Sequence, residues 1–202
     1  MRRTPYFCID PLFPMPYRVT DVRTIFDGWT KFLTARLRTA AGIEVERVIL
    51  DHGRAAAVLP YDPQRRVALL VTQPRAPLLY LGEAAEMLEV IAGRAGDEDA
   101  AAAARREAME EAGLNLRDLE EVADCWPTPG ISTERVALFL ASYAETDRIG
   151  SGGGADGEHE DISITEMPLR ELEKLAKDGK LADMKTLVLV QALLLRRPDL
   201  FV

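Results

Sequence analysis

Leu33, Ala35 and Leu37 alternate with Thr34, Arg36 and Arg38, the pattern of a strand with one buried face and one wet face. Together with "YRVTDVRTIF" and the intervening Asp27-Gly28 pair, this predicts a hairpin over residues 17 to 39. Its turn glycine is free to adopt a positive φ. Six short apolar runs follow and predict strands: "VERVIL", "AAAVLPY", "VALLVTQ", "EMLEVIAG", "LEEVADCW" and "VALFLASY". Pro60-Tyr61-Asp62-Pro63 marks a turn between two of them. Helices are expected over residues 98 to 112, 168 to 178 and 183 to 195. The pattern is that of an α+β fold, a mixed sheet with helices on its faces. No repeat is evident, and "GSGGGADGEHED" at 150 to 161 reads as a glycine-rich loop ending in acid.

Composition narrows the setting. With 202 residues, 48% hydrophobic and 29% charged, the chain suits one ordinary soluble domain with a small appendage. Its net charge of −8 argues against a nonspecific grip on nucleic acid or on an anionic membrane. A phosphate compound could still bind through a bridging divalent metal. The longest apolar run, "LVLVQALLL", is too short to span a bilayer. Prolines break the opening segment, so a signal peptide is not expected. Cys8 and Cys125 are too few for a disulfide framework, which points to a reducing cytoplasm.

The unusual segment is "GRAGDEDAAAAARREAMEEAGL", residues 93 to 114. Asp97 or Asp99 can cap a helix here, and Gly113 can end it. Ala101, Ala104, Ala108 and Ala112 fall on one stripe, letting the backbone lie close to a sheet. Glu107, Glu110 and Glu111 share an adjacent stripe, where like charges cost a few tenths of a kcal/mol per pair. A hard divalent cation would remove that cost. The plainer alternative is a solvated acidic face.

"REAMEEAGL", with Glu98 eight residues before Arg106, resembles the motif of the Nudix hydrolases. Glu98 to Leu114 fits; the departure is at Gly93, which has four residues between it and Glu98 where the motif has five. "HGRAAAVLPYDP", "LEVIAG", "TPGISTER" and "GADGEHEDI" extend the likeness to bacterial ADP-ribose pyrophosphatases and the related GDP-mannose hydrolases. The resemblance implies a Nudix α/β/α sandwich with a small N-terminal antiparallel β-sheet domain. It divides the chain into an extension over 1–16, the small domain over 17–50 and the Nudix domain over 51–202. It also implies a homodimer that exchanges the N-terminal sheets.

Carried onto this chain, the resemblance makes Glu107 and Glu111 the main ligands of Mg²⁺ or Mn²⁺, with Glu110 sharing a second ion. The Ala92 carbonyl and Glu160 would add ligands, and Arg106 would orient the glutamates. Glu98 would pair within the motif. Glu158 matches a proposed general base, and Glu134 is its rival. The glycines before Glu158 would let that base swing in, as lids do. In substrate binding, Gln73 and Arg75 match a recognition segment in which Thr72 and Pro74 depart from the usual residues. Glu89 matches an acid near the terminal ribose or the metal, or is a strand residue facing solvent. Trp126 and Tyr80 could stack on a base, although packing is the expectation for Trp126.

The activity implied is hydrolysis of the pyrophosphate of a nucleoside diphosphate sugar, with ADP-ribose ahead of GDP-mannose. The alternatives are a Nudix sensor that binds without cleaving, and a different Nudix reaction such as decapping or isomerisation.

Overall fold

The structure, a computed structural model, describes residues 17–84, 86–154 and 161–202. Contacts divide the described chain into two compact units.

The first unit holds residues 17–52 and 130–133. Its three strands, β1 (Arg18–Asp27), β2 (Lys31–Arg38) and β3 (Glu44–Asp51), form an antiparallel sheet in that order. The expected hairpin is β1 and β2, with Ala35 at its buried centre. Its turn differs from expectation. Asp27 pairs with Lys31, so the loop is Gly28-Trp29-Thr30, and Gly28 is not among the positive-φ residues. A Cβ there would meet the exposed Phe26 ring, which would have to turn aside. Segment 130–133 lies along the end of β3: Leu50 N–H donates to the Ile131 carbonyl at 2.8 Å, and Thr133 N–H to the Leu50 carbonyl at 2.9 Å.

The second unit is built on a mixed sheet. Its strands are β4 (Arg54–Asp62), β5 (Val67–Pro74), β6 (Glu86–Glu89), β7 (Ile91–Arg94), β8 (Glu120–Cys125), β9 (Arg135–Ser142) and β10 (Ser163–Pro168). The order is β10-β5-β4-β9-β8, with β6 on β5 and β7 on β4. Only β4 and β9 run parallel. Successive residues of β4 enter different cores. Ala56 and Val58 face one cluster, while Ala55, Ala57 and Leu59 face the other. Burial on both faces explains why "AAAVLPY" is apolar throughout.

Helix α2 (Ala100–Ala112) covers the first face. Helices α3 (Leu169–Lys177) and α4 (Met184–Arg196) cover the second, completing the α/β/α sandwich. In α2 the fully buried alanines are Ala103, Ala104, Ala108 and Ala112, so Ala103 takes the place expected of Ala101. Two elements were not expected. A short helix, α1 (Ala76–Leu81), follows β5, and β10 pairs along β5 after the glycine-rich segment. The run "EMLEVIAG" is two strands rather than one, broken at Val90.

Candidate active site

The acidic helix is fixed at both ends by its own residues. Asp99 is the N-cap, its carboxylate accepting from the N–H groups of Ala101 and Ala102 at 3.1 Å each. Gly113 closes the helix at φ +66, donating to the Met109 carbonyl at 3.0 Å. The glycine-rich segment then packs on this end. Gly153 N–H donates to the Glu111 carbonyl at 2.9 Å and Gly154 N–H to that of Glu110 at 3.0 Å. These amides satisfy carbonyls that a helix terminus leaves open. Gly150, bonded to the Gly113 carbonyl at 3.1 Å, Gly153 and Gly154 thus tie the start of the glycine-rich segment to the end of α2. Glu158 and Glu160 lie outside the described residues.

Arg106 gathers the carboxylates. Its Nη1 is 2.7 Å from Glu110 and 2.9 Å from Glu107, and its Nε is 3.2 Å from Glu98. Partial burial works against the guanidinium's charge, but Glu107, followed by Glu98 and Glu110, keeps its pKa above the ordinary arginine value. Nη2 donates to the Arg94 carbonyl at 2.9 Å, tying the helix to β7. Across that junction the Glu107 carboxylate lies against Gly93 so closely that a Cβ there would overlap it. Glu111 is only 2% exposed.

Strand alternation decides where the Ala92 carbonyl points. Ala95 N–H donates to the Arg54 carbonyl at 2.9 Å, so the bonded pairs along this antiparallel ladder are Arg54/Ala95, Ala56/Gly93 and Val58/Ile91. Ala92 and Arg94 lie between them and turn their carbonyls away from β4. That is the edge on which Arg94 receives Arg106.

A second charged group sits on β5 and β6. Glu89 is 2% exposed, which overturns the solvent-facing alternative. It grips Arg75 through Nε at 2.6 Å and Nη2 at 2.8 Å. Burial opposes the charge of Arg75, yet Glu89 outweighs it and raises the pKa, with Glu111 and Asp183 adding to the effect. Lys185 Nζ also reaches Glu89 at 3.3 Å. Gln73 is buried on β5, opposite Met87. Glu134 lies just before β9. Trp126 is 52% exposed, not packed as expected, with the Arg135 guanidinium 5.8 Å from its ring centroid. Tyr80 is exposed on α1.

Asp183, Lys185 and Thr186 were missed by the sequence reading. The Asp-x-x-Thr pattern at the predicted start of α4 is a capping signal, but nothing in its spacing points to Glu89.

Among the described residues, no three His, Cys, Asp or Glu side chains converge as a ready-made metal cluster. The donors nevertheless fit a hard divalent cation. They are all oxygen, with one carboxylate set against the side-chain-free Gly93 and a neighbouring carbonyl turned out of its ladder. No helix among the described residues is long and apolar enough to cross a membrane.

The chain is similar to known proteins in sequence and in fold. The chain is 32% identical over 186 residues to the GDP-mannose pyrophosphatase of Pectobacterium atrosepticum, covering 90% of this chain and 95% of that one. It is 36% identical over 152 residues to the GDP-mannose pyrophosphatase of Cronobacter sakazakii, covering 75% and 78%. A crystal structure of an ADP compounds hydrolase superposes with a TM-score of 0.71 at 16% identity, over 91% of this chain and 95% of that one, a likeness of fold. The NUDIX domain pattern matches residues 51–187, so the chain belongs to the Nudix hydrolase family.

Proposed function

We propose that this Nudix hydrolase is a divalent-metal-dependent pyrophosphatase of nucleoside diphosphate sugars that cleaves GDP-mannose to GMP and mannose 1-phosphate. The motif resemblance ranks ADP-ribose first; the relatives reverse that order. The observation that carries the reading is the extent of the likeness, 32% identity across 95% of the Pectobacterium GDP-mannose pyrophosphatase, far beyond the motif.

In this reading Glu107, Glu110, Glu111 and the Ala92 carbonyl would hold Mg²⁺ or Mn²⁺, with Glu160 as a further ligand. When bound, the ion neutralises diphosphate charge and lowers the pKa of a coordinated water. Arg106 keeps Glu107 and Glu110 aimed from one helix face by charge-assisted bonds. Arg75 uses two of its five donors on Glu89, so it can hold a phosphate oxygen while staying anchored. Gln73 would contribute to the wall of the substrate site. A carboxylate, that of Glu158 or of Glu134, accepts the proton as water attacks phosphorus.

Incubation with Mg²⁺ and a panel of sugar nucleotides tests the proposal. GMP and mannose 1-phosphate should appear, with no turnover in excess chelator. The general base is the member of the pair whose change to Gln lowers kcat by about 10²–10⁴-fold. AMP released from ADP-ribose at the higher kcat/KM would restore ADP-ribose as the substrate. Tight binding without turnover would make the protein a sensor.

A further inference from the structure

Helix α4 binds the backbone just before the strand that carries Ala92. Glu89 pairs with Val71 of β5, and Ile91 pairs with Val58 of β4. Val90 sits at the switch between the two neighbours. Its buried N–H donates to Thr186 Oγ1 of α4 at 2.8 Å. The Thr186 hydroxyl gives its single proton to Asp183 Oδ2 at 2.6 Å, and the Thr186 N–H donates to the same oxygen at 2.9 Å. With its proton committed to Asp183, the hydroxyl presents a lone pair to Val90. Asp183 Oδ1 also takes Lys185 at 2.7 Å, and Lys185 reaches Glu89. Burial pushes the Asp183 carboxyl up, but Lys185 and Thr186 outweigh it and hold its pKa below the ordinary value. The acceptor of the Thr186 proton is therefore ionised at neutral pH.

This latch acts at the start of a short strand that the β4 ladder holds from one edge. β7 is four residues long, and Ala92 and Gly93 give it almost no side-chain bulk. By the same ladder alternation the carbonyls of Ala92 and Arg94 leave the edge away from β4, and the Val90 N–H just before the ladder goes to Thr186. Arg106 holds that edge at Arg94, and Thr186 holds the backbone at Val90, just before the strand. Ala92 lies midway between the two.

We propose that Thr186 is a positioning residue that, with Asp183, sets the direction of the Ala92 carbonyl and thereby the affinity of the cation site. The proposal rests on the metal-dependent reading above. No substrate atom need touch Thr186; it acts through the backbone two residues away.

Thr186→Val keeps the shape and removes the acceptor, whereas Thr186→Ser keeps the hydroxyl. Mn²⁺ is titrated into each full-length protein and free Mn²⁺ is read by electron paramagnetic resonance. Melting curves and GDP-mannose kinetics are recorded alongside. Thr186→Val should bind Mn²⁺ about tenfold more weakly, the usual effect of losing a hydrogen bond behind a ligand. Its kcat at subsaturating metal should fall while KM for the sugar nucleotide holds. Thr186→Ser should stay within about twofold of wild type on the same scale. If Thr186→Val does not fold, Thr186→Ala against Thr186→Ser makes the same comparison, since they differ by one oxygen. Equal Mn²⁺ affinity with and without the hydroxyl overturns the proposal. So does failure of both Val and Ala variants to fold, which would make the role purely structural. A wild type that takes up no Mn²⁺ overturns the metal reading itself and this proposal with it, a failure seen before any variant is made.

Discussion

A hydrogen atom at position 93 is what admits the Glu107 carboxylate to the β7 backbone. Gly93 is not a positive-φ residue, so alanine suits its backbone, and the nearest atoms its Cβ would meet are those of that carboxylate. Gly93→Ala should leave stability within about 0.5 kcal/mol of wild type, as a compatible Gly→Ala change does. Hydrolysis should fall about 100-fold, the scale on which a ligand displaced by an ångström is felt. Steady-state kinetics beside a urea melt check it; full activity would mean Glu107 works from another position. Residues of this kind were legible because one helix carries them, so spacing in sequence is spacing in space. The partners of Glu89 were not. Arg75 lies 14 residues away and Lys185 lies 96 away, and only the fold brings them together. The burial of Glu89 and the exposure of Trp126 likewise follow from which strand and edge each occupies.

Among the elements, period and punctuation were enough for the hairpin, the central strands and three helices. They failed where an element is short or held from outside. Helix α1 has six residues, too few for a period to show, and no buried side chain. Strand β10 was hidden behind the acidic loop, and its pairing with β5 is secured by a distant arginine. Arg65 binds Asp62 at 2.7 Å through Nε and Glu166 at 2.9 Å through Nη1, and Tyr143 donates to Glu166 at 2.8 Å. Burial pushes Asp62 up, but bonds from Arg65 and Gln64 hold its pKa below the ordinary carboxyl value. For Glu166 the bond from Arg65 is the largest influence, and the pKa is again lowered. Groups lowered on folding stabilise above their unfolded pKa near 4 and lose that contribution as pH falls through the folded value. Arg65→Met should therefore cost about 2 kcal/mol at pH 7, below the 3–5 of a buried pair because Arg65 is part-exposed. The gap from wild type should narrow below about pH 4, as both carboxyls protonate. Urea melts at neutral and acid pH measure it, and a gap independent of pH would dissociate the charges from the effect.

At the scale of the whole molecule, the N-terminal unit raises the question of a partner. Ladder register puts Val19, Val22, Leu33, Ala35, Leu37, Val45 and Ile49 on one face of its sheet, with Thr24 and Arg47 among them. Ala35 is buried, but Val19 and Val22 are more than half exposed. Segment 130–133 joins this unit from some eighty residues along the chain, a union no local pattern announces. A mostly apolar sheet face with exposed valines is a surface suited to association, and a second copy of this chain is the partner the family resemblance implies. The wild type should then run at twice the 22.4 kDa chain mass in light scattering. Val22→Asp separates the possibilities. At an exposed position in a monomer it should change stability by no more than about 0.5 kcal/mol. In a dimer closed by this face it buries an unpaired charge, which should drive the protein to monomer at micromolar concentration. The variant's melt shows whether the sheet itself survives. A wild type of single-chain mass, or a Val22→Asp variant that stays dimeric, removes this face from the interface and leaves its exposed valines as ordinary surface.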